Sequence, residues 1–547
     1  HLLMKFRIIL IIFTALLYGC GQKTETDMII KNAKIYSVNN NFDIHESMVI
    51  HGGKILALGR NEEIENNYNS ESIIDLGGKP VYPGFIDPHC HFYGYGLSLR
   101  EANLFGTTSF DEILDRLSEH AEKYPEGWIT GMGWDQNDWE IKEFPDNNRL
   151  DSLFPNRPVL IRRVDGHAAV ANTTALEIAA INPRTEIEGG EILTQNGKMT
   201  GVLIDNAIDL VRKNIPKPGK EEIRAALLSA QENCFKVGLT SVHDAGLDTE
   251  VIKTIDKLNA ARELKTRIYA MLNPTEENFE TYMYNGIYKT DRLHVASVKL
   301  YADGALGSRG ALLVEPYSDD PDNKGLLIAS EKYLERISRL ADSCGYQVNT
   351  HCIGDGANRL ILNIYGNILN DKNDKRWRIE HAQIIHPEDF ELFGKYSVIP
   401  SIQTTHATSD MYWADERLGD RIQYAYAYQT LLKENGWLPN GSDFPVEDIN
   451  PLYGFYAAVV RKDQEGYPSN GFQPEEALTR EQALRAMTIW AAKAAFEEDE
   501  KGSLEAGKMA DFVILEDDLM ETADEELFKI KVLETWIDGE KVYSSIK

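Results

Sequence analysis

The sequence predicts an α/β fold: a TIM-like (β/α)8 barrel joined to a small β-sandwich built from both ends of the chain. Three observations predict it. Strand-like apolar runs alternate with helical stretches through the middle of the chain, the pattern of parallel βα units. Eight of those runs end in a polar residue or directly before one, and eight parallel strands close a barrel. Short strands punctuated by glycine turns occur at both termini, and neither set is complete alone.

Composition sets the outer bounds. The chain has 547 residues, 43% of them hydrophobic, enough for a large core. A formal net charge of -29 argues against nucleic acid or an anionic membrane surface as partner, because both require basic patches. A small-molecule substrate fits this balance, and an oligomer is compatible with it.

At the N-terminus Lys5 and Arg7 precede an apolar run over 8–17, too short to span a bilayer as a helix. It suits the core of a secretory signal. The run ends Leu17-Tyr18-Gly19-Cys20, which resembles a bacterial lipobox. The expectation is a signal peptide over 1–19, lipidation of Cys20 and a polar tether over 20–27. That makes an exported, membrane-anchored lipoprotein, periplasmic or at the cell surface. An ordinary signal peptide and an uncleaved anchor are the alternatives. The other cysteines (Cys90, Cys234, Cys344 and Cys352) follow neither a disulfide framework nor a CxxC zinc spacing.

Taken in order, residues 28–82 read as the first part of the sandwich and 496–547 as the returning part, with strands over 511–515 and 532–537. The barrel occupies 83–495. Its strands are predicted at 84–91, 239–244, 267–272, 297–303, 347–351, 377–381, 398–403 and 438–443, with helices such as 221–236 and 331–343 between them. One gap is too long. Roughly 150 residues separate the first two strands, far above the usual crossover length. The insertion, at about 96–215, carries Gly131-Met132-Gly133-Trp134-Asp135 and Asp165-Gly166-His167. A glycine- and aromatic-rich insert at the catalytic end of a barrel suits a cap facing substrate. A structural excursion with its own small core is the plainer reading for most of it; Trp134 and His167 are the exceptions chosen as substrate contacts.

The strand ends carry the chemistry. The first strand finishes Asp87-Pro88-His89-Cys90-His91, and alternation places His89 and His91 on one face with Cys90 on the other. Two imidazoles on one face can be neighbouring ligands of a cation. Taken singly, such a pair reads as well as one packed and one solvated histidine. Later strand ends add His351, His381 and Asp443, and four of the 13 histidines then lie at predicted ends of one barrel. That coincidence points to a metal site. Lys299 sits in the middle of an apolar strand, where a buried ammonium is costly. Burial lowers its pKa, and a neutral amine can take up carbon dioxide to become a carbamate ligand. An ion pair with Asp303, on the same strand face, is the equal alternative.

These stretches, with Val298-Lys299-Leu300-Tyr301-Ala302-Asp303-Gly304, Arg378-Ile379-Glu380-His381-Ala382-Gln383, His406-Ala407-Thr408-Ser409-Asp410, Gly441-Ser442-Asp443-Phe444-Pro445 and the closing 502–512 stretch, resemble the amidohydrolase superfamily. Within it they are similar to amidohydrolase family 3, the relatives of N-substituted formamide deformylase. The resemblance runs from about Met28 to the C-terminus. It implies a metal-dependent hydrolase of carbon–nitrogen bonds other than peptide bonds, with metal-activated hydroxide attacking the carbonyl of an N-formyl or N-acyl amine. His89, His91 and Asp443 would hold one metal, and His351 and His381 a second. Lys299, carboxylated, would bridge them. Zinc is the first expectation, two per chain if Lys299 is carboxylated and one otherwise. Asp443 would be the catalytic proton shuttle. His167, His406 and Trp134 would bind substrate, with Asp410 and Arg309 behind them. A non-catalytic metal- or solute-binding surface lipoprotein, and a hydrolase of cyclic amides or esters, are the competing readings.

Overall fold

The computed structural model describes residues 23–545. The expected signal segment over 1–19 and Cys20 lie outside them. Among the described residues no helix is long and apolar enough to cross a membrane, and Cys90, Cys234, Cys344 and Cys352 are all free thiols.

The centre of the chain is a parallel barrel sheet. Its strands are β1 (Phe85–Cys90), β2 (Leu239–Leu247), β3 (Arg267–Leu272), β4 (Leu293–Tyr301), β5 (Gln347–Cys352), β6 (Arg378–His381) and β7 (Ile399–Ser401), paired in that order. Every pair is parallel. A short strand at Tyr288–Lys289 adds an antiparallel flap to β4. Helices Lys220–Lys236 and Glu331–Ser343 occupy the predicted crossovers. Their buried faces join a single large core that includes Leu227, Leu239, Ile268, Val298, Ile337 and Val348.

The eighth predicted strand is corrected. Residues 438–443 form no regular strand, yet they close the sheet. Ile402 N donates to Pro439 O at 3.0 Å, Gly441 N to Ile402 O at 2.9 Å, and Asp443 N to His89 O at 2.8 Å. His91 N donates to Phe444 O at 2.8 Å. A regular ladder fails for identifiable reasons. Pro439 has no N–H to give, and Asp443 lies in the left-handed region with φ 64°. In addition, Asp87 from β1 inserts its carboxylate into the seam, accepting from Ser442 Oγ at 2.6 Å and from the His89 N–H at 3.0 Å. Gly441 is required there: a Cβ would stand 2.7 Å from Asp87 Oδ1 and 2.8 Å from His89 N.

Strands from both termini build two further sheets. The four-stranded one runs Lys54–Gly59, Ser47–His51, Met28–Lys31, Ile73–Asp75. The six-stranded one runs Glu540–Ser544, Val532–Ile537, Phe512–Leu515, Pro80–Pro83, Lys34–Tyr36, Ile44–His45, so the two chain ends pair directly. Between them lies a core containing Ile30, Met48, Ile50, Val81, Ile514 and Trp536. Buried Arg267 of β3 holds Asp511 at 2.6 Å and ties this unit to the barrel.

The stretch between β1 and β2 folds into its own mixed six-stranded sheet. Period-two alternation buries both of its faces. Val159, Ile161, Ala168 and Val170 enter one core with Trp134 and Leu104, while Leu160, Ala169 and Ala171 enter another with Leu203 and Ile208. The edge carrying Asn103, Met132, Arg163 and His167 overhangs the C-terminal ends of the barrel strands and walls a cavity of about 630 Å3.

Candidate metal centre

His89, at the end of β1, is fully buried. Its Nδ1 meets the carboxylate of Glu380, itself held by Arg378 at 2.6 Å. Burial alone would raise the Glu380 carboxyl, but Arg378 and then His89 hold it well below the usual carboxylate range. An ionised Glu380 accepts a hydrogen bond from Nδ1–H of His89 and so turns Nε2 towards the cluster. That Nε2 lies 3.3 Å from Asp443 Oδ1 and 3.3 Å from Lys299 Nζ. His381 is oriented in the same manner, its Nδ1 lying 2.6 Å from Gln403 Oε1, so that an N–H there donates to the amide oxygen and Nε2 is free. In a regular strand Glu380 and His381 would point to opposite faces. At His381 φ is 75°, and this break in the strand turns the imidazole into the site beside Glu380.

His89, His381 and Asp443 place one ligand atom each within 4.8 Å of one another, and all three are buried. Asp443 Oδ1 also stands 3.2 Å from His91 Nε2. It is buried and aligned with neither imidazole for a hydrogen bond. Burial would push the Asp443 carboxyl up; the neighbouring His89 first, then His91, outweigh it and hold it well below the carboxylate range. An ionised, orphaned carboxylate oxygen between imidazoles with fixed tautomers is the donor set a divalent cation takes. These residues fit a metal.

The other expected ligands border this cluster. The His351 ring is 4.6 Å from the His381 ring, and its Nε2 lies 3.4 Å from Gly304 O, which leaves Nδ1 as the lone-pair nitrogen. Lys299 is buried, and burial lowers its amine to about 8 despite Glu380 and Asp443 nearby. The Asp303 alternative is corrected. Asp303 accepts instead from the backbone N–H groups of Leu312 and Gly354 at 2.8 Å and Ile353 at 3.0 Å. Cys90 points away from the cluster, its Sγ reaching His243 O at 3.5 Å.

Of the expected substrate contacts, His167 and His406 line the cavity. His406 follows β7 in the helix Thr404–Asp410, stacks on His381 at 5.7 Å and lies 3.8 Å from Asp443 Oδ2. Burial lowers its pKa, so it is a neutral imidazole, and its Nε2 has no hydrogen-bond partner. Asp410 also faces the cavity, accepting from the Tyr426 hydroxyl at 2.7 Å. Arg309 instead turns to Asp319, at 2.9 Å.

Trp134 is corrected. It is fully buried in the insertion, donating from Nε1 to Ile161 O at 3.1 Å and packing on Trp139 and Phe144. A register shift at Gly133, where φ is 113°, sends Met132 and Gly133 to the cavity and Trp134 into the core. Trp134→Ala should therefore cost about 3–5 kcal/mol of stability, read by thermal or denaturant unfolding, with metal content unchanged in the folded protein.

Sequence reasoning missed Glu380 and Gln403, which orient the histidines, and Asp87, which seats the segment carrying Asp443. Glu380 adjoins a candidate ligand and was within reach; the others depend on approaches between distant strands. Glu380→Gln would keep the size of the side chain while removing its charge. Metal affinity should fall about 10–100-fold, as measured by competition with a chromophoric chelator.

The sequence profile described as the amidohydrolase family matches residues 72–543. A putative amidohydrolase, YtcJ of Bacillus subtilis, is 32% identical over 93% of this chain and 98% of its own length. The N-substituted formamide deformylase of Arthrobacter pascens is 25% identical over 94% and 97%. A crystal structure of an uncharacterized metal-dependent hydrolase from Pyrococcus horikoshii superposes with a TM-score of 0.74 at 29% identity, covering 91% of this chain and 99% of that one.

Proposed function

Since the chain belongs to the amidohydrolase family, we propose that it hydrolyses the amide bond of an N-formyl or N-acyl amine, releasing a carboxylic acid and an amine. The observation that carries this reading is Asp443, whose carboxylate is a candidate ligand and also lines the cavity, where it can move a proton. A site for binding alone needs no such shuttle.

Divalent metal held by His89, His381 and Asp443, with His91 and His351 beside them, would make hydroxide available at neutral pH and polarise the substrate carbonyl. Zinc suits this nitrogen and oxygen set, and iron or manganese would tolerate it. Asp443 accepts the proton of the attacking water through its free oxygen and returns it to the amine nitrogen as the C–N bond breaks. His406 and His167 both line the cavity and supply polar contacts to the carbonyl oxygen as negative charge develops there. As a neutral amine, Lys299 would add carbon dioxide, forming an N–C bond and releasing one proton, and the carbamate oxygens would be further ligands able to hold a second metal.

The test is elemental analysis of the purified protein together with a hydrolysis screen over N-formyl, N-acetyl and cyclic amides. Turnover of the acyclic formyl or acetyl amides is expected. Full metal occupancy without turnover of any member would move the assignment to a binding protein, and turnover of cyclic amides alone would move it to ring opening. An exported lipoprotein anchored at Cys20 is part of the same proposal and is tested by metabolic labelling with a fatty acid in wild type and Cys20→Ser.

A further inference from the structure

One buried carboxylate beside the cavity has no part in the chemistry described so far. Asp205 ends the strand Lys198–Asp205 of the insertion, and its side chain is sealed from solvent. Its Oδ1 lies 2.6 Å from Nδ1 of His167. The two residues are also locked through the backbone, Asp205 N donating to His167 O at 2.9 Å.

The arrangement is expensive to hold. Asp205 has φ 48° and ψ -122°, a combination that costs a non-glycine residue on the order of 1–3 kcal/mol. Its second oxygen, Oδ2, is buried without a hydrogen-bond partner. Room for it exists only because two positions on the barrel side are glycines: a Cβ at Gly304 would stand 2.6 Å from Oδ2, and one at Gly310 2.7 Å. A carboxylate that merely finished a strand would need neither the strained backbone nor the imidazole contact. The ring it grips is the one that lines the cavity and lies 5.0 Å from the His351 ring.

We infer that Asp205 is a positioning residue. It fixes the rotation of the His167 ring by accepting the hydrogen bond from Nδ1–H, so that Nε2, on the opposite edge of the ring, is the atom that meets substrate over the candidate metal centre. The inference rests on the hydrolytic reading for its catalytic consequence and on geometry alone for the positioning.

Two measurements on the full chain separate these. In histidine-labelled protein, the Nδ1 proton resonance assigned to His167 by its absence from His167→Gln should be lost in Asp205→Ala, which removes the acceptor; its persistence overturns the positioning, whatever the activity. In kinetics on whichever acyl amine the protein turns over, Asp205→Ala should lower kcat about 10–100-fold with KM and metal content little changed. Introduced into His167→Gln, the same change should cost less than about twofold, because the two residues act as one unit. An equal loss in both backgrounds would make Asp205 a structural residue and overturn the inference. Gly310→Ala, which crowds Oδ2 without removing the carboxylate, should reproduce the loss in a folded protein. Absence of turnover by the parent would refute the hydrolytic reading while the resonance still decides the positioning.

Discussion

Asp443→Asn should abolish turnover and leave the metal in place. The amide keeps an oxygen where the carboxylate oxygen stood, so elemental analysis should find metal content close to that of the parent. It cannot take a proton from water, and kcat should fall about 10²–10⁴-fold, the range for loss of a positioned acid–base group. This role requires Asp443 to be ionised while buried, and the neighbouring His89 and His91 hold its carboxyl low. Burial by itself would have made it a neutral acid with no capacity as a base. Hydrolysis by the Asn variant at the parental rate would remove Asp443 from the proton path. Loss of metal together with activity would make it a ligand whose shuttling role needs another test, and partial activity of the metal-reloaded variant would provide one.

Lys299→Met should have an effect of similar size by a different route. Methionine matches lysine in length and suits the buried site, so the fold should persist or gain stability. What disappears is the amine that burial brings to about 8, within reach of carbamate formation. Metal content should drop to one per chain or fewer, and kcat/KM should fall at least about 100-fold, beyond what the loss of an outer contact costs. Reconstitution of metal-stripped parent under carbon dioxide-depleted buffer should mimic the variant, and added bicarbonate should restore it. A Met variant that retains two metals would exclude Lys299 as a bridge. In that event its contact with His89 Nε2, at 3.3 Å, is a packing contact only.

Much of this site was legible because barrels place reactive groups at strand ends, so a polar residue closing an apolar run is informative wherever it falls. His89, His91, His351 and His381 were found that way, and Lys299 as a charge in the middle of an apolar strand; the structure brings them together beside Asp443. Trp134 was misread for want of one local fact: Gly133 kinks the strand, and alternation beyond a kink cannot be extrapolated. The irregular eighth segment was read as a strand because it ends in a polar residue and brings the count to the eight that close a barrel; what defeats the ladder is the Asp87 carboxylate arriving from β1, a contact between residues far apart in the chain. Glu380, Gln403 and Asp205 escaped for a related reason. A residue that orients a ligand carries no periodic signature of its own, and its partner is set by the approach of separate strands.

The seam between β1 and residues 438–443 has a further consequence. Here the sheet is joined by few backbone bonds, one aspartate and the residues of the candidate centre itself, with His89 on one side and Asp443 on the other. A cation held by both would clasp the barrel where it is least zipped. Catalyst and keystone would then be one object, and the barrel would be expected to open first along this line when the ion is withdrawn, visible as faster amide exchange at Asp443 and His91 than in β3 or β4.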